Sequence, residues 1–218
     1  RRAGEPKPLT GAFWYKGRMY LRLAGSASAV EHTARLLKAF ELDEENPKTI
    51  EKYGNTEFGG GELLARRLVE KGVRFVQVNR GGFDNHGNIF EAMRNHGATM
   101  DPAIASLISD LKANGMISKT LVVVLSEFGR TPRINDGGGR DHWARCFSCM
   151  MAGGGLKGGT IVGASDEDGM APAERPVKVA DLHATLCHAL GIDMKKELET
   201  PQGRPMRLVR KEATPIHE

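Results

Sequence analysis

The sequence predicts an α/β fold, a three-layer α/β/α sandwich built around a mainly parallel sheet. From residue 62 onward, segments with helical periodicity alternate with short apolar runs of strand length. The run Leu121–Leu125 is apolar without interruption, which is typical of a strand buried on both faces of a parallel sheet. A chain of 218 residues that is 40% hydrophobic and 27% charged has the composition of an ordinary globular domain.

Three segments carry helix signals. The apolar stripe through Leu68 ends at Gly72, a residue type that commonly terminates helices. Asp101 is placed as an N-cap before Pro102, and apolar side chains follow at helical spacing. The segment Asp181–Leu190, closed by a glycine, is expected to be the last helix.

Apolar runs and glycine-rich stretches divide the rest of this region. Strands are expected at Phe75–Val78, Leu121–Leu125, Cys146–Met151 and Thr160–Val162. Residues three apart on a strand point to opposite faces, so Cys146 and Cys149 are expected to be buried and not bridged. Composition predicts loops at 137–140 and 165–176.

The N-terminal part fits this pattern poorly. Residues 1–39 are set apart as a tail, an edge hairpin or a sequence artefact, and residues 40–218 are expected to form the domain. The chain opens with Arg1 instead of a methionine and signal peptide, so we expect a processed N-terminus or a fragment.

Composition also excludes several classes of protein. The net charge of +4 comes without a basic stripe interleaved with aromatic residues, so no nucleic-acid partner is expected. Three cysteines in a chain of this length do not form a disulfide framework. No apolar run approaches the roughly 20 residues of a membrane-spanning helix, so no membrane span is expected.

Potential metal ligands follow the predicted strands and the glycine loop. Asp84 and His86 come after the first strand, Glu127 after the valine-rich strand, and His142 after the glycine loop. Ligands in open α/β sheets bind at the carboxyl ends of the strands, so Asp84, His86 and His142 are expected to converge there. Carboxylates with imidazoles suit zinc, manganese or iron.

Two arginines flank these segments. The guanidinium groups of Arg130 and Arg140 suit bidentate binding of phosphate or sulfate, and a loop arginine paired with a carboxylate is the alternative. The remaining histidines are interpreted as structural or surface residues: His32, His96, His183, His188 and His217.

Several sequence strings together resemble one known family. They are ELLARRLVEKGVRFVQV, GGFDNHGN, VVVLSEFGRTPRIN, GRDHW, MMAGGGLKGGTIVGASD, ADLHATLCHALGID and GRPMRLV. In this order and spacing, from about Phe40 to the C-terminus, they resemble the domain of unknown function 1501 family, sulfatase-like proteins of the alkaline phosphatase superfamily. The resemblance implies an alkaline-phosphatase-like fold, a divalent zinc, manganese or calcium ion, and a periplasmic location.

The resemblance also assigns ligands. That superfamily holds two metal ions, and its first-metal residues match Asp84, His86 and His142, although Asp84 and His86 lie closer in sequence than in most relatives. The second-metal aspartate and histidine match Glu127 and Phe128, so the imidazole is missing there. The second metal's N-terminal aspartate and the nucleophile would lie upstream of the matching region.

These observations lead to three alternative functions. The first is a metal-dependent hydrolase-type domain acting on small anionic phosphate or sulfate esters, incomplete and without turnover in this chain. The second is a non-catalytic metal-binding or scaffold domain. The third is a nucleotide or phosphosugar binding module, which the glycine-rich segments suggest, although the sequence has no Walker pattern.

Overall fold

The computed structural model describes residues 9–15, 18–23 and 37–216, the first two ranges by their backbone. The chain divides into two compact units, residues 1–113 and 114–218. His32 and His217, two of the histidines interpreted as structural or surface residues, lie outside the described residues.

The described part of the first unit combines a small sheet with three helices. Its elements are β1 (Leu9–Tyr15), β2 (Arg18–Leu23), α1 (Pro47–Lys52), α2 (Glu57–Glu70), β3 (Val76–Val78) and α3 (Ile89–Ala113), with 3₁₀ turns at Lys38–Phe40 and Leu42–Glu44. The strand order is β2-β1-β3. Strand β1 pairs antiparallel with β2 and parallel with β3, in the register that places Ala12 beside Val76.

Thr56 and Gly72 mark the two ends of α2. Thr56 accepts a hydrogen bond on its side chain from the backbone nitrogen of Gly59, at 3.0 Å, and so begins α2. Gly72 follows the helix with φ +86°, a left-handed conformation that glycine adopts without strain. The predicted helix through Leu68 that ends at Gly72 is therefore confirmed. Leu68 packs in a buried cluster with Ala39, Leu64 and Val73.

Helix α3 is longer than the sequence predicted. The expected N-cap at Asp101 was wrong, because one helix runs through Pro102 from Ile89 to Ala113. A proline inside a helix removes one backbone hydrogen bond. Spacings of seven and four residues keep one face of the helix buried along its length, through Ile89, His96, Ala103, Leu107 and Leu111. Burial of this stripe on both sides of Pro102 accounts for the uninterrupted helix.

A polar network joins α1, α2 and α3 of this unit. The carboxylate of Asp110 accepts a hydrogen bond from the buried Tyr53 hydroxyl at 3.0 Å, and it pairs with Lys52 and with Arg66. Burial raises the pKa of Tyr53, and the negative charge of Asp110 adds to the rise. Ser106 donates a hydrogen bond from its hydroxyl to the carbonyl of Lys52 at 2.8 Å.

The part of the second unit that the structure describes contains short strands and one helix. Its elements are β4 (Leu121–Val124), β5 (Gly129–Arg130), β6 (His142–Trp143), β7 (Met150–Gly153), β8 (Ala164–Ser165), β9 (Pro172–Glu174), α4 (Val179–Ala189), β10 (Glu197–Glu199) and β11 (Pro205–Arg207), with a 3₁₀ turn at Ile117–Lys119. The strands form four two-stranded antiparallel sheets. Helix α4 contributes Ala184 and Cys187 to a buried cluster with Val209, and it confirms the predicted last helix.

The predicted fold class was wrong. The described residues do not form a mainly parallel three-layer sandwich of the alkaline-phosphatase type, because β1 with β3 is their one parallel pairing and it spans three residue pairs. Strand β4 is half-buried, and its one partner among the described strands is β7, with which it pairs antiparallel. An apolar run indicates burial, but it carries no information about the direction of its partner.

Two further strand predictions were wrong in detail. Residues 160–162 form no strand, and the strand predicted from Cys146 begins at Met150. Both Cys146 and Cys149 therefore precede the strand, and neither is buried as expected: Cys146 is half-buried and Cys149 is exposed. The expectation that they are not bridged is confirmed, although strand geometry is not the reason. Among the described helices, none combines the length and apolar character needed to cross a bilayer.

Truncation of a core leucine should destabilise the first unit. Leu68 is fully buried, so Leu68→Ala leaves a cavity and is expected to lower the unfolding free energy by about 2–5 kcal/mol. The control is Leu37→Ala, whose side chain is 52% exposed and whose loss is expected to matter little. Urea denaturation followed by circular dichroism measures both, and equal midpoints would contradict the core assignment.

A half-buried carboxyl should make stability depend on pH. Burial raises the pKa of Glu62 on α2 from 4.5 to about 7, so folding favours its protonated form. The associated stabilisation is complete below pH 4.5 and is lost as the pH rises to about 7.

Glu62→Gln should therefore be more stable than the wild type at pH 8, by on the order of 1–3 kcal/mol, with a smaller difference at pH 5. The comparison uses thermal denaturation at both pH values, with the exposed Glu51→Gln as control. A stability difference that grows toward low pH would contradict the sign.

Candidate metal ligands and the loops that carry them

In the first unit, Asp84 and His86 form a pair on the irregular segment between β3 and α3. The Nε2 atom of His86 lies 3.0 Å from Oδ1 of Asp84, and the side chains are 49% and 69% exposed, respectively. Metal bonds of about 2.0–2.1 Å place neighbouring ligand atoms roughly 2.9–3.4 Å apart. A carboxylate oxygen and an imidazole nitrogen at this separation fit a divalent metal ion.

The loop before this pair is held from α3. His96 donates a hydrogen bond from Nε2 to the carbonyl of Gly82 at 2.8 Å, and its ring stacks on Phe83 with centroids 4.0 Å apart. Sequence reasoning interpreted His96 only as a structural or surface residue. Its place on the apolar stripe of α3, opposite a glycine pair, was the signal available.

In the second unit, Glu127 lies exposed in the turn after β4. Ser126 donates a hydrogen bond from its hydroxyl to the carbonyl of Phe128 at 3.0 Å, as a turn residue does. The ring of Phe128 lies 4.5 Å from that of His142, at a tilt of 44°. Phe128, which stands where the resemblance implies a second-metal imidazole, therefore packs against a predicted first-metal ligand.

His142 is exposed on β6, where it pairs with Arg130 of β5. The glycine loop before it is organised by Asn135, which sequence reasoning missed. Its side-chain oxygen accepts hydrogen bonds from the backbone of Gly137 and Gly139, both at 3.0 Å, and its amide donates to Asp141 at 3.1 Å. The loop enters β6 with its direction fixed by these bonds.

The two predicted anion-binding arginines donate to backbone carbonyls. Arg130 donates a hydrogen bond to the carbonyl of Arg140 at 3.3 Å. Arg140 in turn donates to the carbonyls of Thr131, at 2.6 Å, and Pro132. Both arginines therefore tie the β5–β6 hairpin together, and their binding of phosphate or sulfate stays a prediction.

The prediction that the metal ligands lie at one common sheet edge was wrong. Strands β3 and β4, which precede Asp84 and Glu127, belong to different sheets. The structure pairs Asp84 with His86 in the first unit. In the second unit, Glu127 directly precedes Phe128 in sequence, and the ring of Phe128 contacts that of His142. The joint ligand set stays a prediction.

Comparisons with known proteins gave one match over most of the chain. The model of a family described as a protein of unknown function, DUF1501, matches residues 18–218. A stretch of 69 residues is 38% identical to the large ribosomal subunit protein uL18 of Clostridioides difficile (strain 630), covering 30% of this chain and 57% of that protein. No solved structure matches.

Removal of the Asn135 side chain should loosen the glycine loop. Asn135→Ala deletes three hydrogen bonds and is expected to cost about 1–3 kcal/mol of stability. The amides of Gly137 and Gly139 should then exchange faster with deuterium. Asp136→Ala, at the exposed neighbouring residue, is the matched control. Unchanged protection in Asn135→Ala would show that the loop is ordered by other contacts.

Proposed function

The chain belongs to the DUF1501 family of proteins of unknown function, and we propose that it is a sulfatase-like, metal-dependent hydrolase domain of the alkaline phosphatase superfamily. Its substrates are small anionic phosphate or sulfate esters. The observation that carries the proposal is the Asp84–His86 pair, whose ligand atoms lie 3.0 Å apart on an exposed loop. A carboxylate with an imidazole is a ligand set that suits zinc or manganese, and calcium is implied only by the family resemblance.

Within this proposal, Asp84 and His86 are the first two ligands. The sequence adds His142 as the third ligand and Glu127 as a ligand of a second ion. When bound, a dication polarises an ester and offsets the negative charge that develops on it. His86 must lose the proton on its ligating nitrogen, so metal affinity is expected to fall as the pH drops.

The arginines supply the second part of the proposal. Arg130 and Arg140 each donate to carbonyls with part of the guanidinium, which carries five N–H donors in all. Both guanidinium groups suit bidentate binding of phosphate or sulfate oxygens, and the carbonyl contacts hold the planes of the groups fixed. A fixed guanidinium loses less conformational entropy on binding than a free side chain.

The proposed domain is incomplete as a catalyst. Ester cleavage through a covalent intermediate needs an activated hydroxyl or thiol beside the metal. Ser126, the hydroxyl beside Glu127, donates to the carbonyl of Phe128 in a turn. We therefore expect this chain to bind metal without catalysing turnover.

A non-catalytic metal-binding or scaffold domain is the second candidate. The observation in its favour is Phe128, an apolar ring in the position of a second-metal imidazole and in contact with the ring of His142. A second ion at this place would have Glu127 without its histidine partner. Both candidates predict that the first metal ion binds. They differ in whether a chain extended upstream catalyses ester hydrolysis.

Metal content should distinguish the ligands from other residues. Purified protein loaded with zinc or manganese is expected to hold one tightly bound ion, measured by elemental analysis and by calorimetry. Asp84→Ala, His86→Ala and His142→Ala should each weaken binding by at least 100-fold, because one of three protein ligands is lost. Glu127→Gln should leave the first ion in place, and His183→Ala, an exposed histidine on α4, is the control.

Turnover of aryl phosphate and aryl sulfate by the same proteins completes the test. Metal binding without turnover in this chain, and turnover in a longer one, would support the hydrolase. Metal binding without turnover in either would favour the scaffold. Protein that binds no metal, or turnover by this chain that disappears in Ser126→Ala, would contradict the proposal.

A further inference from the structure

We propose that His96 is a positioning residue for the Asp84–His86 pair, an inference that rests on the proposed metal site. His96 lies on α3, and Gly82 and Phe83 immediately precede Asp84 in sequence. The imidazole contacts both of these loop residues. It therefore connects the rigid helix to the backbone that carries the two ligands.

The first contact is a hydrogen bond of known direction. A carbonyl oxygen only accepts, so the Nε2 atom of His96, 2.8 Å from the Gly82 oxygen, carries the hydrogen. The side chain is only 9% exposed, and its Nδ1 atom has no partner among the described residues. A buried polar atom left in this state is unfavourable and requires an explanation.

The other residues on the buried stripe of α3 show that burial alone does not require a histidine at position 96. The other large buried side chains along it are hydrocarbon: Ile89, Leu107 and Leu111. A leucine at position 96 would fill the stripe without an unpaired nitrogen. What leucine cannot do is donate a hydrogen bond to the loop, and this contact is the property that histidine adds.

The second contact fixes the loop from its side chain. The rings of Phe83 and His96 stack with centroids 4.0 Å apart and planes 15° apart. Gly82 has φ +93°, and a Cβ atom there would lie 3.2 Å from Cε1 of His96. Glycine thus permits both the left-handed turn and the close approach of the ring. The residue before Asp84 is held by its ring, and the residue before that by its carbonyl.

His96 acts through the backbone and is not itself a ligand. Its Nε2 atom is committed to Gly82, and its ring is buried beneath Phe83. Metal ligands must be held close to their productive geometry, and residues behind them supply this order. For the exposed Asp84 and His86 side chains, His96 on α3 supplies this order through the loop backbone.

Two substitutions separate the contacts. His96→Phe keeps a ring for stacking on Phe83 and removes the donor to Gly82, whereas His96→Gln keeps a donor and removes the ring. The control is Ser106→Ala on the same helix, at a buried residue that also donates one hydrogen bond to a carbonyl, that of Lys52. Ser106→Ala reports the effect of a lost buried hydrogen bond alone.

The first measurement is zinc and cobalt binding by the full chain. His96→Phe is expected to weaken the affinity about 10- to 100-fold and to shift the visible absorption bands of bound cobalt. His96→Gln should recover part of the affinity, and Ser106→Ala should retain it. Equal affinities and equal cobalt spectra in His96→Phe and Ser106→Ala, with Asp84→Ala inactive in binding, would overturn the inference while leaving the metal site intact.

The second measurement needs no metal. Trypsin cleaves after Arg80, two residues before Gly82, and the ratio of this cut to the other tryptic cuts reports local opening of the loop. The ratio should rise several-fold in His96→Phe and stay constant in Ser106→Ala. If His96→Phe folds poorly, Phe83→Leu removes the ring contact without altering α3 and should raise the same ratio.

The two measurements distinguish two kinds of failure. Absence of metal binding by the wild type contradicts the proposed function and with it the role of His96 toward a metal, whereas the proteolysis still decides whether His96 orders the loop. A constant cleavage ratio in His96→Phe and Phe83→Leu overturns the positioning role, whatever the metal does.

Discussion

Burial of one face of α3 is the interaction on which the described part of the first unit depends. The stripe from Ile89 to Leu111 continues on both sides of Pro102 and keeps the helix in one piece. Near one end Asp110 gathers Tyr53, Lys52 and Arg66. Toward the other end His96 contacts the loop that carries Asp84 and His86. One helix face thus serves the core, the charge network and the candidate ligands.

The second unit is organised more by turns than by a sheet. Its described strands are two to four residues long, so few ladder hydrogen bonds are available. Side chains supply the missing order: Asn135 holds the glycine loop, and Arg130 and Arg140 bind carbonyls across the β5–β6 hairpin. Gly129 permits this arrangement, because a Cβ atom there would lie 2.2 Å from the carbonyl oxygen of Cys146. Arg130 and Arg140, the residues predicted to bind substrate, therefore also stabilise the β5–β6 hairpin.

Local features such as helix ends could be predicted from the sequence, whereas the pairing of strands could not. Gly72 and the segment before Gly191 marked helix ends correctly, because a left-handed glycine is a local requirement. The proximity of Asp84 to His86 followed from their spacing. The antiparallel pairing of β4 did not follow from the sequence, because the direction of pairing depends on which distant segment becomes the partner strand. Asn135 was missed, and His96 was interpreted only as a structural or surface residue, because each acts through a contact that no spacing rule encodes.

The exposure of the Asp84–His86 pair has a kinetic consequence. Both side chains face solvent for about half or more of their surface, so an ion held there has a short path to water and to competing chelators. At equal affinity, its exchange would be faster than that of an ion enclosed by the protein. The ion found in isolated protein would then reflect the last buffer, and occupancy in the cell would follow the free concentration of each metal.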